Sequence, residues 1–116
     1  MKIVIPLDEN KVDVCVTFGR APFFLVGDEN KTEILANPGA EAQGGAGIKA
    51  AQFVVDQEAD ALVTVRCGQN SADVFAAADI QIFKASGSNA EENLKACVEG
   101  KLEKLTHFHA GYQGIR

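Results

Sequence analysis

The apolar and polar positions divide the chain into two unlike stretches. Up to about residue 36 the periods are those of strands. Lys2 to Leu7 is an apolar, β-branched run closed by Pro6-Leu7, the pattern of a buried strand. Val12, Val14, Val16 and Phe18 alternate with Asp13, Cys15 and Thr17, and this period of two predicts a second strand with one face in the core. Gly19-Arg20-Ala21-Pro22 interrupts it with a tight connection, because Pro22 has no N–H to give a ladder. Phe23 to Val26 resumes as a strand, Asp28 to Lys31 is a polar turn, and Thr32 to Ala36 returns as an edge strand. The first third therefore reads as an antiparallel meander.

Beyond it the period changes. Asn37 to Gly47, rich in glycine, is a loop. Ile48, Ala51, Gln52 and Val55 then fall at i, i+3, i+4 and i+7, which predicts a helix over about 45–58. Ala61 to Val65 is continuous enough for a strand covered on both faces. Ser71 is the expected N-cap of a short helix that turns Val74, Phe75 and Ala78 inward. Ile80 to Phe83 is another strand, and the 61–83 unit predicts two parallel strands joined by a right-handed crossover. Ser88 and Glu91 have capping-box spacing before a helix with Leu94, Cys97 and Val98 on its apolar face, and Gly100 suits the position just past its end. The sum is one α/β domain over residues 1–105 with a mixed sheet, helices on at least one face, and a tail over 106–116 that is partly ordered or free.

Composition narrows the function. Sixteen acidic residues against eleven Lys and Arg give a net charge of −5, which disfavours binding to phosphate backbones. The chain is expected to bind neither nucleic acid nor membrane, since no apolar stretch approaches the roughly 20 residues that span a bilayer. The opening residues are too short an apolar run for a secretory signal, and three widely spaced cysteines make a poor disulfide framework, so a cytoplasmic setting is expected.

Four segments carry candidate chemistry. Phe18-Gly19-Arg20 ends a strand, so Arg20 projects there with a donor fork suited to an oxyanion or thioanion; the alternative is a solvated corner. Gly44-Gly45-Ala46-Gly47 precedes a helix, where free N–H groups and the positive dipole end attract anions; the alternative is a flexible loop. Cys67-Gly68 follows an apolar strand and opens the next helix. A thiol beside a helix N-terminus and an arginine should ionise easily and could then ligate a soft metal, or it is simply a free thiol in a loop. His107 and His109 stand at i and i+2, so in an extended chain they point the same way and could share a metal with or without Cys67, or else lie solvated in a tail. No triad order, HExxH or G-x-S-x-G motif is present, and a chain without catalytic residues of its own, not an enzyme, is expected.

At these same segments the sequence resembles the dinitrogenase iron–molybdenum cofactor biosynthesis family, which includes nitrogenase cofactor carriers, orange proteins and small stand-alone members. The resemblance is carried by Met1 to Pro6, by Phe18-Gly19-Arg20-Ala21-Pro22-Phe23-Phe24, by Gly44 to Gly47, and by Gly68 to Ala72 followed by Ala78-Asp79-Ile80. It implies an α/β, ribonuclease H-like motif: a five-stranded mixed sheet of order 3-2-1-4-5 with strand 2 antiparallel and about three helices. It also implies a nitrogen fixation-related role, binding or carrying an anionic iron–sulfur or molybdenum-containing sulfide cluster or its precursor. Cofactor-assembly or acceptor proteins would be the partners. Two positions depart from the pattern: Thr17 stands where many relatives have a histidine, and Cys67 is not part of the general motif. On this reading Phe18, Gly19, Arg20, Gly44, Gly45, Cys67 and Gly68 surround the cofactor, with Phe18 and Phe23 shielding it from water. The alternatives are a regulatory or protein-interaction module without a cluster, and a metal-dependent nuclease, which would need a carboxylate set that the spacing does not offer.

Overall fold

A computed structural model describes residues 1–109. Five strands and three helices follow in the order β1 (Ile3–Leu7), β2 (Phe23–Gly27), β3 (Thr32–Ala36), α1 (Ala46–Asp56), β4 (Ala61–Thr64), α2 (Gln69–Ala77), β5 (Gln81–Lys84) and α3 (Ala90–Val98). They form one mixed sheet of order β3-β2-β1-β4-β5. β2 runs antiparallel to both β1 and β3, while β1, β4 and β5 are parallel. The sheet order, its mixed direction and the helix count are those implied by the resemblance.

Alternation along the strands sends side chains to two cores. Val4, Phe24, Val26 and Leu62 face one side, where Ala50, Ala51 and Val54 of α1 and Ala72 and Phe75 of α2 cover them. Ile3, Ile5, Leu7, Leu25, Ala61 and Val63 face the other, beneath Ala90, Leu94 and Cys97 of α3. This burial on both faces explains the unbroken apolar runs of β1 and β4. β3 is a largely exposed edge, and Glu33 and Lys31 on and beside it discourage pairing with another chain. The outer edge of β5 is covered by the chain's own later residues: Lys84 N–H donates to the Glu103 carbonyl at 2.8 Å and Leu105 N–H to that of Ile82 at 2.9 Å.

Three local expectations are corrected. Residues 12–18 are not a strand. β2 takes the whole of one edge of β1 and β4 pairs with Ile3 and Val4 on the other, so only the short end of β1 is left to this segment: Leu7 bridges Val14 and Cys15 N–H donates to the Pro6 carbonyl at 2.9 Å, while Asp13 bridges Asn89. Val12 and Val16 are left exposed, and only Val14, Cys15 and Phe18 turn in. Ser71 does not cap α2, because Gly68 takes the extended N-cap conformation and helix begins at Gln69. Ser88 does not cap α3 either. Asn89 does, its side-chain oxygen accepting from Glu92 N–H at 2.9 Å. The expected stop at Gly100 is found, with φ 73° just past the last turn.

Of the expected tail, residues 106–109 return to the body of the domain: His109 bridges Gly68, and its carbonyl accepts from Gln69 N–H at 2.9 Å. Residues 110–116 lie outside the described residues. Among the described residues no helix is long and apolar enough to cross a membrane.

Candidate functional site

β1 and β4 are parallel, and Phe23, the first residue of β2, pairs with Leu7, the last of β1. Ala36, the last residue of β3, pairs with Phe23 in turn. The chain therefore brings the corner before β2, the loop after β3 and the loop after β4 to one end of the sheet. Ligands commonly gather at the carboxyl ends of parallel strands for this reason.

A cleft of about 540 Å³ lies there, lined by Thr17–Arg20, Gly45–Ile48, Arg66–Gly68 with Asn70 and Ser71, and His109. The three segments expected from the sequence to surround a ligand share this one hollow. Close backbone contact is what holds them together. A Cβ on Gly19 would stand 2.9 Å from the Gly47 Cα, and one on Gly47 would stand 2.8 Å from the Ser71 hydroxyl oxygen. The first contact is with backbone and admits no larger residue, and the second does so only if the Ser71 hydroxyl turns aside, so the corner, α1 and α2 meet through glycines. Phe18 anchors the corner from below. It is buried, with its ring edge-on to Phe75 at 5.4 Å and tilted against Phe24 at 5.7 Å.

The cleft's electrostatics oppose those of the chain as a whole. Its lining holds Arg20 and Arg66 and no Asp or Glu. Two helices open onto it, and neither N-terminus has a side-chain cap or an acid in its first turn. At α1, Gly45 takes φ +67°, and the first intrahelical bond runs from Lys49 N–H to the Gly45 carbonyl at 2.9 Å. The amides of Ala46, Gly47 and Ile48 thus precede the helical ladder, as any first-turn donors do. α2 adds the amides of Asn70 and Ser71, while Gln69 N–H donates to the His109 carbonyl. The Ser71 side chain is 3% exposed. Its hydroxyl lines the cleft and makes no hydrogen bond to any described residue. Guanidinium groups, helix amides and a buried hydroxyl make a donor-rich cradle for an anion.

Several expected site residues are placed otherwise. Gly44 does not line the cleft. Phe23 packs on the α3 side of the sheet, with the Lys11 ammonium 4.7 Å from its ring centre, so it cannot shield this cleft. Cys67 reaches the cleft wall, but its side chain is buried in the α1–α2 core, its sulfur 3.5 Å from the Gly68 carbonyl. Burial pushes its pKa up from 9.0 to about 12. This corrects the expectation of an easily formed thiolate: desolvation outweighs the helix end and Arg66. His107 lies in a neighbouring hollow, whereas His109 lines both, its ring against Gly68. Among the described residues no three His, Cys, Asp or Glu side chains are grouped to hold a metal ion, so Cys67, His107 and His109 do not form a ready-made metal site.

Sequence reasoning missed Arg66 and Ser71 as lining residues. It also missed Asn37, a buried amide behind the Arg20 corner. Arg66 was legible as a cation two residues before Gly68, at a helix entry. Ser71 was misplaced because its cap signal is identical to that of an interior serine. Nothing local marks Asn37, which works through residues 16 and 18 positions away.

The fold and this cleft define a small α/β protein with a donor-lined hollow at the carboxyl end of its parallel strands. Residues 1–100 match the family described as dinitrogenase iron–molybdenum cofactor, and the chain belongs to that family. It is 29% identical over 110 residues to an uncharacterized protein of Methanocaldococcus jannaschii, covering 90% of this chain and 92% of the relative. Among solved structures it is similar to the apo form of the orange protein from Desulfovibrio gigas, with 25% identity, a TM-score of 0.81 and coverage of 90% and 92% of the two chains. It is also similar to a NifB-like protein of the DUF35 family from Thermotoga, with 28% identity, a TM-score of 0.75 and coverage of 96% and 98%.

Proposed function

We propose that the protein is a cytoplasmic carrier that binds an anionic metal–sulfur cluster, or a molybdenum- or iron-containing precursor of one, in the Arg20–Arg66 cleft. It would exchange that cargo with cofactor-assembly or acceptor proteins. One observation carries the reading: in a chain with an excess of acids, the described residues lining this cleft supply two arginines, two uncapped helix N-termini and no carboxylate. Family membership and the likeness to the orange protein support a cofactor-related role.

The residues present fit such a group. Sulfide and oxide ligands on a cluster are hydrogen-bond acceptors with spread negative charge. Arg20, Arg66, the first-turn amides of α1 and α2, and the Ser71 hydroxyl are all donors. The buried Ser71 hydroxyl, with no partner among the described residues, is what a ligand in the cleft would satisfy. Cys67 contributes packing to the wall on this reading, since its thiol keeps its proton at neutral pH. The cleft then acts by binding and release, with no bond-making step assigned to any side chain.

The test is titration of the purified protein with tetrathiomolybdate, alone and with Cu(I) or Fe(II), followed by visible absorption and metal analysis after desalting. Wild type should retain a chromophore. A charge-assisted hydrogen bond contributes about 1.5–3 kcal/mol, so Arg20→Ala should weaken retention by about tenfold or more. Equal uptake by Arg20→Ala would exclude the cleft as the binding site.

A further inference from the structure

We infer that Asn37 is the positioning residue for Arg20: its buried side chain fixes both the turn that presents the guanidinium and the loop that holds it. The inference rests on the proposed role of the cleft only for the ligand used in one arm of its test.

Asn37 directly follows the last residue of β3 and is 5% exposed. Its side-chain NH₂ donates to the carbonyl of Gly19 at 3.0 Å and to that of Ala21 at 2.8 Å, the two residues flanking Arg20. Its side-chain oxygen accepts from Gly39 N–H at 2.8 Å. The main chain completes the frame, with Asn37 N–H donating to the Pro22 carbonyl and Ala40 N–H to that of Asn37, both at 3.1 Å. Ala40 is where the Arg20 guanidinium rests, one of its terminal nitrogens donating to the Ala40 carbonyl at 3.3 Å. One amide therefore ties the Arg20 turn to the 37–40 loop and sets the stem and the tip of the arginine at once.

The chemistry requires an amide. Two carbonyls converge on one end of the side chain and an N–H meets the other, so two donors and an acceptor are needed in fixed places. Aspartate has nearly the same shape but would set a carboxylate against the two carbonyls. Alanine would leave those carbonyls without their donor in a buried place. Neither substitution touches the cleft lining, since Asn37 is not part of it.

The test uses Asn37→Ala, Asn37→Asp, Arg20→Ala and the Asn37→Ala/Arg20→Ala double variant, in two arms. The first needs no ligand. In ¹⁵N-labelled protein, Asn37→Ala and Asn37→Asp should shift the Arg20 Nε–H and Ala21 N–H resonances, while the amide resonances of β1 and β4 keep their wild-type positions. Unmoved Arg20 resonances in both variants would overturn the inference, whatever the ligand does. The second arm measures tetrathiomolybdate binding. Coupled residues show interaction energies of about 0.5–3 kcal/mol, so Asn37→Ala should cost about fivefold in the wild-type background and less than about twofold when Arg20 is already absent. Equal losses in both backgrounds would make Asn37 a general stabiliser and overturn its role through Arg20. Failure of wild type to bind, with the first arm as expected, would reject the tetrathiomolybdate-binding role of the cleft and leave the positioning of Arg20 supported.

Discussion

Two hollows of similar size lie in different parts of this molecule. The cleft between α1, α2 and the Arg20 corner holds about 540 Å³. The other, about 430 Å³, runs between the β2–β3 turn and α3. Size does not distinguish them; charge and open helix ends do. The α3 hollow is lined by Asp28, Glu29, Glu91 and Glu99 against only Lys31 and Lys95. Asp28 illustrates its chemistry. The carboxylate accepts from the Asn30 and Lys31 amides at 2.8 and 3.0 Å, and these bonds hold its pKa below the usual value. The helices differ in the same sense. α3 begins with an Asn89 cap and acids Glu91 and Glu92 in its first turn, so its N-terminal donors and dipole are already answered. α1 and α2 begin with glycines and have neither. The fold completes the helix that needs only stability and leaves open the two that face the cleft.

The sharpest way to break this comparison is to close an open helix. Gly68→Asp places a carboxylate at the N-cap of α2, beside the cleft. A unit charge at close range costs on the order of 3 kcal/mol at intermediate dielectric, so tetrathiomolybdate binding should fall roughly a hundredfold. Gly68→Ala adds the same Cβ, 3.1 Å from the His109 ring, without the charge. Comparing the two by equilibrium dialysis separates repulsion from crowding. Near-equal losses would show that charge does not govern the site.

The glycine contacts come next. Gly19→Ala puts a Cβ 2.9 Å from the Gly47 Cα, a backbone atom that can yield only if the corner and α1 separate. Overpacking of this kind costs about 1–3 kcal/mol, which urea denaturation should resolve, and binding should weaken with it. The matched change on the other side is Asn89→Ala. Loss of that cap should cost about 1 kcal/mol of stability and leave binding at the cleft unchanged. A large binding defect in Asn89→Ala would mean that the two regions are coupled.

A further effect is confined to alkaline pH. The Cys67 thiol holds its proton up to about 12 in the folded state, against 9.0 for an ordinary thiol. The unfolded chain therefore ionises first. The stability that burial of the protonated thiol supplies is intact below about pH 9 and is lost as pH rises from 9 towards 12. Cys97 is pushed in the same direction by burial and adds to the slope. Denaturation midpoints measured across this range should fall less steeply in Cys67→Ala than in wild type, although that variant starts from a lower stability.

Most strands and helices were legible in the chain because their signals are local. β1 and β4 announce themselves as unbroken apolar runs and the end of α3 as Gly100; α1 was legible as a helix after a glycine loop, but its buried face is Ala46, Ala50, Ala51 and Val54, and Ile48 and Gln52 of the expected stripe are exposed. Residues 12–18 show where local reading fails: their alternation is real, but a strand also needs a long enough free edge to pair with, and β2 and β4 leave only the short end of β1. The same limit applied at the site. Arg20, Gly45 and Gly68 could be picked out because their types and neighbours suit an anion, yet nothing along the chain said that they share a hollow with Arg66 and Ser71.

The sequence by itself determined the periods, the stops and the glycines, because each depends on backbone preference and on burial of one face within a few residues. Tertiary structure alone decided the sign and the closure of the cleft. Which helix ends stay uncapped, that Cys67 turns into the core, and that Asn37 reaches back to the Arg20 corner all depend on chain segments far apart in sequence. Hydrogen bonds and desolvation act over a few ångströms of space, whatever the number of residues between the groups.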